Sequence, residues 1–175
     1  MIQEVDRLNR VITQLLEFAR PPVIQKKRAS LQSLIQHSLK MIETQASAKR
    51  IKILSHLPSE IKEVSLDPDG INQVLLNLYL NAVEAMNQEG TLRVSLFAEQ
   101  GSPWVKIMVS DTGMGIRKED LEHVFDPYFT TKQTGTGLGL AIVHKIIEAH
   151  GGEVNVESEI GRGTTVSVLL PLAET

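Results

Sequence analysis

The sequence predicts a mixed α/β (α+β) domain that follows one short helix. Apolar residues recur at helical spacing in several stretches, and runs rich in β-branched residues alternate with them. Clusters of glycine and proline separate these runs. With 175 residues, the chain is long enough for one domain with a core and a short appendage, and too short for two large domains.

Composition narrows the class of protein. Hydrophobic residues make up 42% and charged residues 22%, a balance typical of a folded soluble domain rather than a disordered chain. The net charge of -3 provides no basic field, so we expect no direct nucleic-acid partner. The absence of cysteine excludes disulfides, thiolate metal sites and cysteine nucleophiles.

The N-terminal segment predicts a helix that packs with other helices. Its apolar residues alternate four and three apart, and Arg20-Pro21-Pro22 ends the run. Fewer than three full heptads leave open an amphipathic helix docked on its own domain. The apolar positions are Met1, Val5, Leu8, Ile12, Leu15 and Ala19.

No apolar run approaches the roughly 18 residues that span a bilayer, and the N-terminus lacks the order of a signal peptide. We therefore expect these residues to be soluble. Because Met1 opens directly into the heptad pattern, we expect a start inside a longer protein, with any membrane anchor upstream.

The middle of the chain predicts a helix, two strands and a second helix. Ser30 is placed to cap a helix with apolar residues at 31, 34, 35, 39 and 42, and residues 51–57 and 63–66 predict a pair of strands. Asp67-Pro68-Asp69 begins a long helix that runs to about Asn87. This tripeptide provides a side-chain cap, a proline at a position where the missing N–H costs nothing, and an acid at the positive end of the helix dipole.

The second half predicts two hairpins around a long loop and a helix. The hairpins comprise residues 91–98 with 104–109, and 153–158 with 164–170. The helix runs from about 138 to 150 and ends at Gly151-Gly152. Residues 110–139 are too many for a simple connection, so we expect this loop to carry function.

A polar ridge borders the apolar stripe of the helix that begins at Pro68. At about 100° per residue, Asn81 lies roughly 80° from the centre of the stripe and Asn77 roughly 120°, with Glu84 on the same side. Taken alone, this ridge is better explained as ordinary surface residues, so the amides by themselves decide little. The stripe consists of Ile71, Val74, Leu75, Leu78, Ala82, Ala85 and Met86.

Two glycine motifs in the long loop suit a nucleotide. Asp111, directly after an apolar strand, can accept a hydrogen bond from an exocyclic amine, and the glycines at 113 and 115 let the backbone approach a flat ring. This suits adenine, and a plain Asp-x-Gly turn is the alternative. The glycine cluster at 134–139 leads into a helix whose N–H groups favour phosphate. This cluster is neither a Rossmann motif, because no strand comes directly before it, nor a Walker loop, because no Gly-Lys-Ser/Thr follows it.

Four motifs, in this order, resemble the N, G1, F and G2 boxes of bacterial sensor histidine kinases in the GHKL superfamily. The resemblance covers roughly residues 25–172, and residues 4–10 with 15–21 are similar to the nitrogen-regulator branch. The motifs are Asn77-Leu78-Tyr79-Leu80-Asn81, Asp111-Thr112-Gly113-Met114-Gly115, Phe125-Asp126-Pro127-Tyr128-Phe129 and Gly135-Thr136-Gly137-Leu138-Gly139.

The resemblance implies a two-layer α/β sandwich of the Bergerat ATP-binding type, with a mixed sheet and an ATP lid. Residues 1–22 would be the C-terminal end of a dimerisation hairpin, and residues 23–175 the catalytic domain. The full-length protein would form a homodimer through the dimerisation helices and pass phosphate to a response regulator. It would lie in the bacterial inner membrane, with this domain in the cytoplasm and membrane contact only through upstream segments.

The resemblance also implies roles for single residues, with Mg-ATP as the cofactor. Asn81 would hold Mg²⁺ with Asn77 close by, Asp111 would bind the adenine amine, and Lys132 would offset phosphate charge. Asn77, Asn81 and Lys132 form the expected catalytic set. Phe125 and Phe129 would pack at the base of the lid. The expected nucleotide-binding set is Asn77, Asn81, Glu84, Asp111, Gly113, Gly115, Ile116, Thr131, Lys132, Thr134, Gly135, Thr136, Gly137, Leu138, Gly139 and Leu140.

The resemblance favours phosphate transfer over hydrolysis. ATPases of the gyrase and heat-shock-chaperone class carry a glutamate where this chain has Asn77, and an amide is not a general base. A hydrolysing ATPase of the same fold and a nucleotide-gated binding module remain the alternatives. The acceptor histidine of the family is followed by an acid and, a few residues on, a proline. None of the histidines fits, so we expect structural roles for His37, His56, His123, His144 and His150.

Overall fold

The computed structural model describes residues 2–20, 23–61, 63–98, 101–132 and 135–172. A short 3-10 helix, Lys118–His123, lies inside the long loop. None of the described helices is long and apolar enough to cross a membrane. The helices are α1 (Ile2–Ala19), α2 (Leu31–Ala48), α3 (Pro68–Ala85) and α4 (Gly139–Ala149). The strands are β1 (Lys27–Ala29), β2 (Ile51–His56), β3 (Val64–Leu66), β4 (Gly90–Ala98), β5 (Trp104–Asp111), β6 (Glu153–Glu159) and β7 (Gly163–Pro171).

Five strands form one mixed sheet in the order β2-β4-β5-β7-β6. The predicted hairpins β4–β5 and β6–β7 are both confirmed as antiparallel pairs. The strands β2 and β4 run parallel, which requires a crossover, and the crossover contains α3. Helix α3 contacts α2 and α4, and all three helices contact the sheet, so the domain has one helical layer and one sheet layer with its core between them.

The prediction that residues 51–57 and 63–66 pair with each other is wrong. The strand β3 pairs with β1, which the sequence pattern did not predict, and β2 pairs with β4, where Ile51 lies opposite Gly90. The physical reason is burial, because pairing with β4 brings β2 into the large sheet, where α2 packs against it. At the edge of the five-stranded sheet, Ile51 is only 6% exposed.

Both predicted helix starts are confirmed by their caps. The side chain of Ser30 accepts the N–H of Ser33, and that of Asp67 accepts the N–H groups of Asp69 and Gly70. The apolar stripe of α3 is buried as predicted except Ala85, which is half-buried. The buried face is wider than predicted, since α3 contacts α2 and α4 as well as the sheet. Tyr79 and Val83 are buried as well.

The apolar seam of α1 is exposed along its described positions, whereas the C-terminal end of the helix contacts α4. The Lys145 ammonium donates to the carbonyl oxygens of Phe18 at 2.6 Å and Arg20 at 2.8 Å, and lies over the Phe18 ring. An exposed seam is available to another helix, so packing within a bundle stays a prediction. The exposed seam residues include Val5, Leu8, Ile12 and Leu15.

His150 joins the end of α4 to the start of α3 and has the structural role expected for it. It is 2% exposed, its Nδ1 lies 2.7 Å from the carbonyl oxygen of Ile146, and its Nε2 accepts the N–H of Asp67 at 3.0 Å. This pattern fits a neutral ring that carries its proton on Nδ1. Burial is the main cause that lowers the pKa of His150 below its ordinary value.

We expect His150 to make the free energy of unfolding fall as the pH drops below about 6.5. The unfolded chain then binds a proton that the folded chain excludes, which gives a slope of at most about 1.4 kcal/mol per pH unit. The loss of unfolding free energy stops below the pKa of His150 in the folded state. Urea unfolding at several pH values between 5 and 8 measures this change in the free energy of unfolding. His150→Gln should flatten this part of the profile, and the exposed His37→Gln should not; equal slopes in both would contradict the assignment.

Candidate functional site

A cavity of about 670 Å³ lies between α3, the end of β5 and the long loop, a size that suits a small-molecule ligand. Of the predicted set, Gly113 packs against Ala85 and Leu138 is buried in the core, so neither lines the cavity. Thr134 lies outside the described residues. The predicted residues that line it are Asn77, Asn81, Glu84, Asp111, Gly115, Ile116, Thr131, Lys132, Gly135, Thr136, Gly137, Gly139 and Leu140.

Asp111 is the last residue of β5, and two backbone groups orient its carboxylate. Its Oδ1 accepts the N–H of Gly113 at 2.8 Å and the N–H of Thr164 at 3.3 Å. Burial raises the pKa of Asp111, while these two hydrogen bonds oppose the rise. Because both bonds use Oδ1, Oδ2 remains to accept a hydrogen bond from a ligand amine within the described part of the site.

The loop after Asp111 approaches two neighbouring elements closely. Gly115 has a φ of +73°, and a Cβ there would lie 2.1 Å from the carbonyl oxygen of Glu159. A Cβ on Gly113 would lie 2.6 Å from the carbonyl oxygen of Ala85, which also accepts the N–H of Met114 at 3.1 Å. Side chains at 113 and 115 are therefore excluded, and the loop is held between the end of α3 and the β6–β7 turn.

The polar ridge of α3 faces the start of α4. A Cβ on Gly139 would lie 3.4 Å from Asn77 Oδ1 and 3.6 Å from Asn81 Nδ2, so both amides reach the same end of the cavity. Lys132 Nζ donates to Asn81 Oδ1 at 3.3 Å and pairs with Glu84 at 2.8 Å. Amide oxygens are hard ligands of the kind that Mg²⁺ accepts, and a lysine complements phosphate, so these residues fit Mg-ATP.

The first turn of α4 offers backbone donors to a ligand. Leu138 at its N-cap makes no side-chain capping bond, and the first turn contains no acid. Its N–H groups and the positive end of the helix dipole therefore favour an anion such as phosphate. The lid before it is shaped by Gly137, where a Cβ would lie 2.3 Å from the backbone of Tyr128.

The base of the lid is packed by aromatic contacts. The Phe125 ring lies 5.4 Å from the His144 ring, and the Phe129 ring lies 5.7 Å from the His123 ring. These contacts support the predicted roles of the two phenylalanines, which continue to be predictions. The Thr136 hydroxyl in the lid also hydrogen-bonds the Gln14 side chain of α1.

Sequence patterns missed several residues at the cavity. Gln14, Gln45 and Lys49 line it from α1 and α2, and Thr164 contributes the N–H that orients Asp111. No local signal marks the first three, since polar side chains on an amphipathic helix are ordinarily solvated. A backbone N–H leaves no trace in the side-chain sequence.

The family of the chain follows from a comparison with known proteins. Residues 66–174 match the family described as histidine kinase-, DNA gyrase B-, and HSP90-like ATPase. The chain belongs to this ATPase family. It is 44% identical to the sensor histidine kinase ZraS of Escherichia coli (strain K12), over 98% of this chain and 37% of ZraS. It is 38% identical to the histidine-protein kinase AtoS of the same organism, over 98% of this chain and 28% of AtoS.

Solved structures of histidine kinases in this ATPase family have the same fold. The catalytic domain of ThkA is 33% identical, with a TM-score of 0.76 over 85% of this chain and 96% of that chain. Full-length ShkA in complex with AMPPNP is 26% identical, with a TM-score of 0.87 over 99% of this chain and 37% of that chain. The predicted α/β sandwich and the predicted ATP-binding domain are confirmed. The chain spans little more than a third of the length of ZraS.

Proposed function

We propose that the chain is the catalytic part of a two-component sensor histidine kinase. It binds Mg-ATP and transfers the γ-phosphate to a histidine on an upstream dimerisation domain, for relay to an aspartate of a response regulator. One observation carries the proposal: Asp111, Asn81 and Lys132 surround one nucleotide-sized cavity whose described lining contains no histidine. The nucleotide-binding groups are together, and the acceptor has to be supplied from elsewhere.

Different residues of the cavity bind different parts of the nucleotide. Asp111 Oδ2 accepts the adenine amine, and Gly115 lets the loop lie flat against the base. Asn81 holds Mg²⁺ with Asn77 beside it, and the ion supplies neutralisation of phosphate charge. Lys132 offsets charge on the terminal phosphate, and the N–H groups from Gly137 to Leu140 bind phosphate oxygens.

The residues beside the phosphate end favour transfer over hydrolysis. The Asn77 amide donates to the carbonyl oxygen of Gln73 at 3.1 Å and has no basic atom to activate water. The Glu84 carboxylate is engaged by Lys132 at 2.8 Å. A nucleophile brought in by another domain therefore has no competing base among these groups, as a kinase requires.

One relative supports a response regulator as a partner of the longer protein. ThkA has been solved in complex with the response regulator TrrA, and that ThkA chain is 29% identical to this one with a TM-score of 0.82. The exposed seam of α1 suits the end of a dimerisation helix. We infer that residues 1–22 belong to that domain and residues 23–175 to the catalytic domain. We infer a homodimer anchored in the inner membrane, with this domain in the cytoplasm.

A phosphotransfer assay with γ-labelled ATP and Mg²⁺ tests the proposal. The chain alone should form no phosphohistidine, whereas a separately purified dimerisation domain of the longer protein should become labelled when it is added. Asn81→Ala should reduce the labelling rate at least about 100-fold, because the metal stabilises several kcal/mol of developing charge. The exposed Lys40→Met should label at the wild-type rate.

The other outcomes separate the alternatives. Steady phosphate release without an acceptor would identify a hydrolysing ATPase. Nucleotide binding with neither labelling nor release would identify a nucleotide-gated binding module.

A further inference from the structure

The C-terminal end of α3 is held by a lysine from another helix. The last carbonyl oxygens of a helix need donors from outside it, and the last turn of α3 has no basic residue of its own. Lys49, the C-cap residue of α2, donates from Nζ to the carbonyl oxygens of Val83 at 2.8 Å and Met86 at 3.1 Å. Its positive charge also lies at the negative end of the α3 dipole.

The adenine loop rests on the same helix end. The carbonyl oxygen of Ala85 lies between the two that Lys49 holds, and it accepts the N–H of Met114 at 3.1 Å. A Cβ on Gly113 would meet this oxygen at 2.6 Å, so the loop and the helix end are in direct contact. The position of the loop therefore depends on where the last turn of α3 presents its carbonyl groups.

Lys49 also holds the connection that follows α3. Its own carbonyl oxygen accepts the N–H of Glu89 at 2.8 Å, just before β4 begins. The side chain is half-buried and lines the cavity. Lys49 thus contacts both the end of α3 and the chain that leaves it, and its two ammonium bonds to α3 are charge-assisted, the stronger class of hydrogen bond.

We propose that Lys49 is a positioning residue for adenine recognition. By holding the last turn of α3, it sets the position of Ala85 and, through the N–H of Met114, the position of the loop that follows Asp111. The Gly113 N–H of this loop orients the Asp111 carboxylate. Nucleotide selectivity then depends on a lysine that acts through the last turn of α3. The part that concerns nucleotides rests on the proposed function, whereas the part that concerns the loop does not.

Amide hydrogen exchange of the nucleotide-free protein tests the loop directly. In Lys49→Met, the Met114 amide should exchange at least about tenfold faster, because its acceptor is no longer fixed. The Ile116 amide is an internal control, since it donates to Ser158 Oγ at 2.8 Å and not to α3. Lys49→Arg should restore slow exchange at Met114, and Lys40→Met on the same helix should leave it unchanged. Unaltered exchange at Met114 in Lys49→Met would overturn the proposal.

Nucleotide selectivity is the second readout. Lys49→Met should weaken ADP binding about tenfold in calorimetry, and weaken GDP binding much less, so the ratio of the two dissociation constants should narrow. A purely structural role would lower the melting temperature and leave this ratio unchanged, which would refute the proposal. If Lys49→Met fails to fold, Lys49→Gln takes its place with the same expectation. Failure of the wild type to bind ADP would instead refute the proposed function.

Discussion

Asp111→Asn should remove most of the stabilisation that a nonhydrolysable ATP analogue with Mg²⁺ gives the wild-type protein. The asparagine keeps an oxygen for the N–H groups of Gly113 and Thr164, so the loop retains its hydrogen bonds. Its NH₂ group then replaces Oδ2 and faces the adenine amine, donor against donor. A mismatch of this kind costs about 3 kcal/mol, or roughly 100-fold in affinity.

Melting temperatures with and without the analogue measure this effect. At about 100 times the dissociation constant, the wild type should gain about 2.7 kcal/mol. For a domain of this size, that gain corresponds to roughly 5–10 °C. Asp69→Asn, at an exposed position in the first turn of α3, is the matched control and should keep the full shift. No shift in a well-folded wild type would favour a partner-binding module over a kinase.

Gly163→Ala should be one of the most destabilising single-methyl changes in the chain, at about 3 kcal/mol or more. Gly163 has a φ of +102°, and a Cβ there would lie 1.9 Å from the carbonyl oxygen of Asp111. The strand β7 or the end of β5 would have to move. Such a movement would also disturb the N–H of Thr164 that orients the Asp111 carboxylate.

Gly161→Ala is the matched control in the same turn. Gly161 has a φ of +78°, but nothing lies within 4 Å of an added Cβ, so only the backbone strain of about 1 kcal/mol is expected. Urea unfolding of both variants measures the difference in free energy of unfolding. Equal losses in the two variants would show that crowding against Asp111 has no part in the effect.

Local signals were sufficient for most of the elements. Ser30 and Asp67 mark their helix starts because a cap acts within three residues. The turn at Gly161 marks a hairpin because a turn signal is also local. The partner of β2 was not predictable in this way. It depends on which surface buries Ile51, and that surface is formed by residues far along the chain.

In the site, too, local features were predictable from the sequence and contacts between distant residues were not. Its motifs were predictable because each is a short continuous segment, so Asp111 and Asn81 were identified before their distances were known. Lys49 was missed because a lysine at the end of an amphipathic helix has no local mark of its function. The β1–β3 pair was missed because three-residue strands are too short to show an alternating pattern.

Helix α4 contacts both the cavity and the end of α1. Its first turn, at Gly139, forms a wall of the cavity, and Lys145 on its flank holds the carbonyl oxygens at the end of α1. A hydrogen-bonded helix of 11 residues moves as one rigid body. A displacement of α4 at its first turn would therefore also move Lys145 and the end of α1 that it holds.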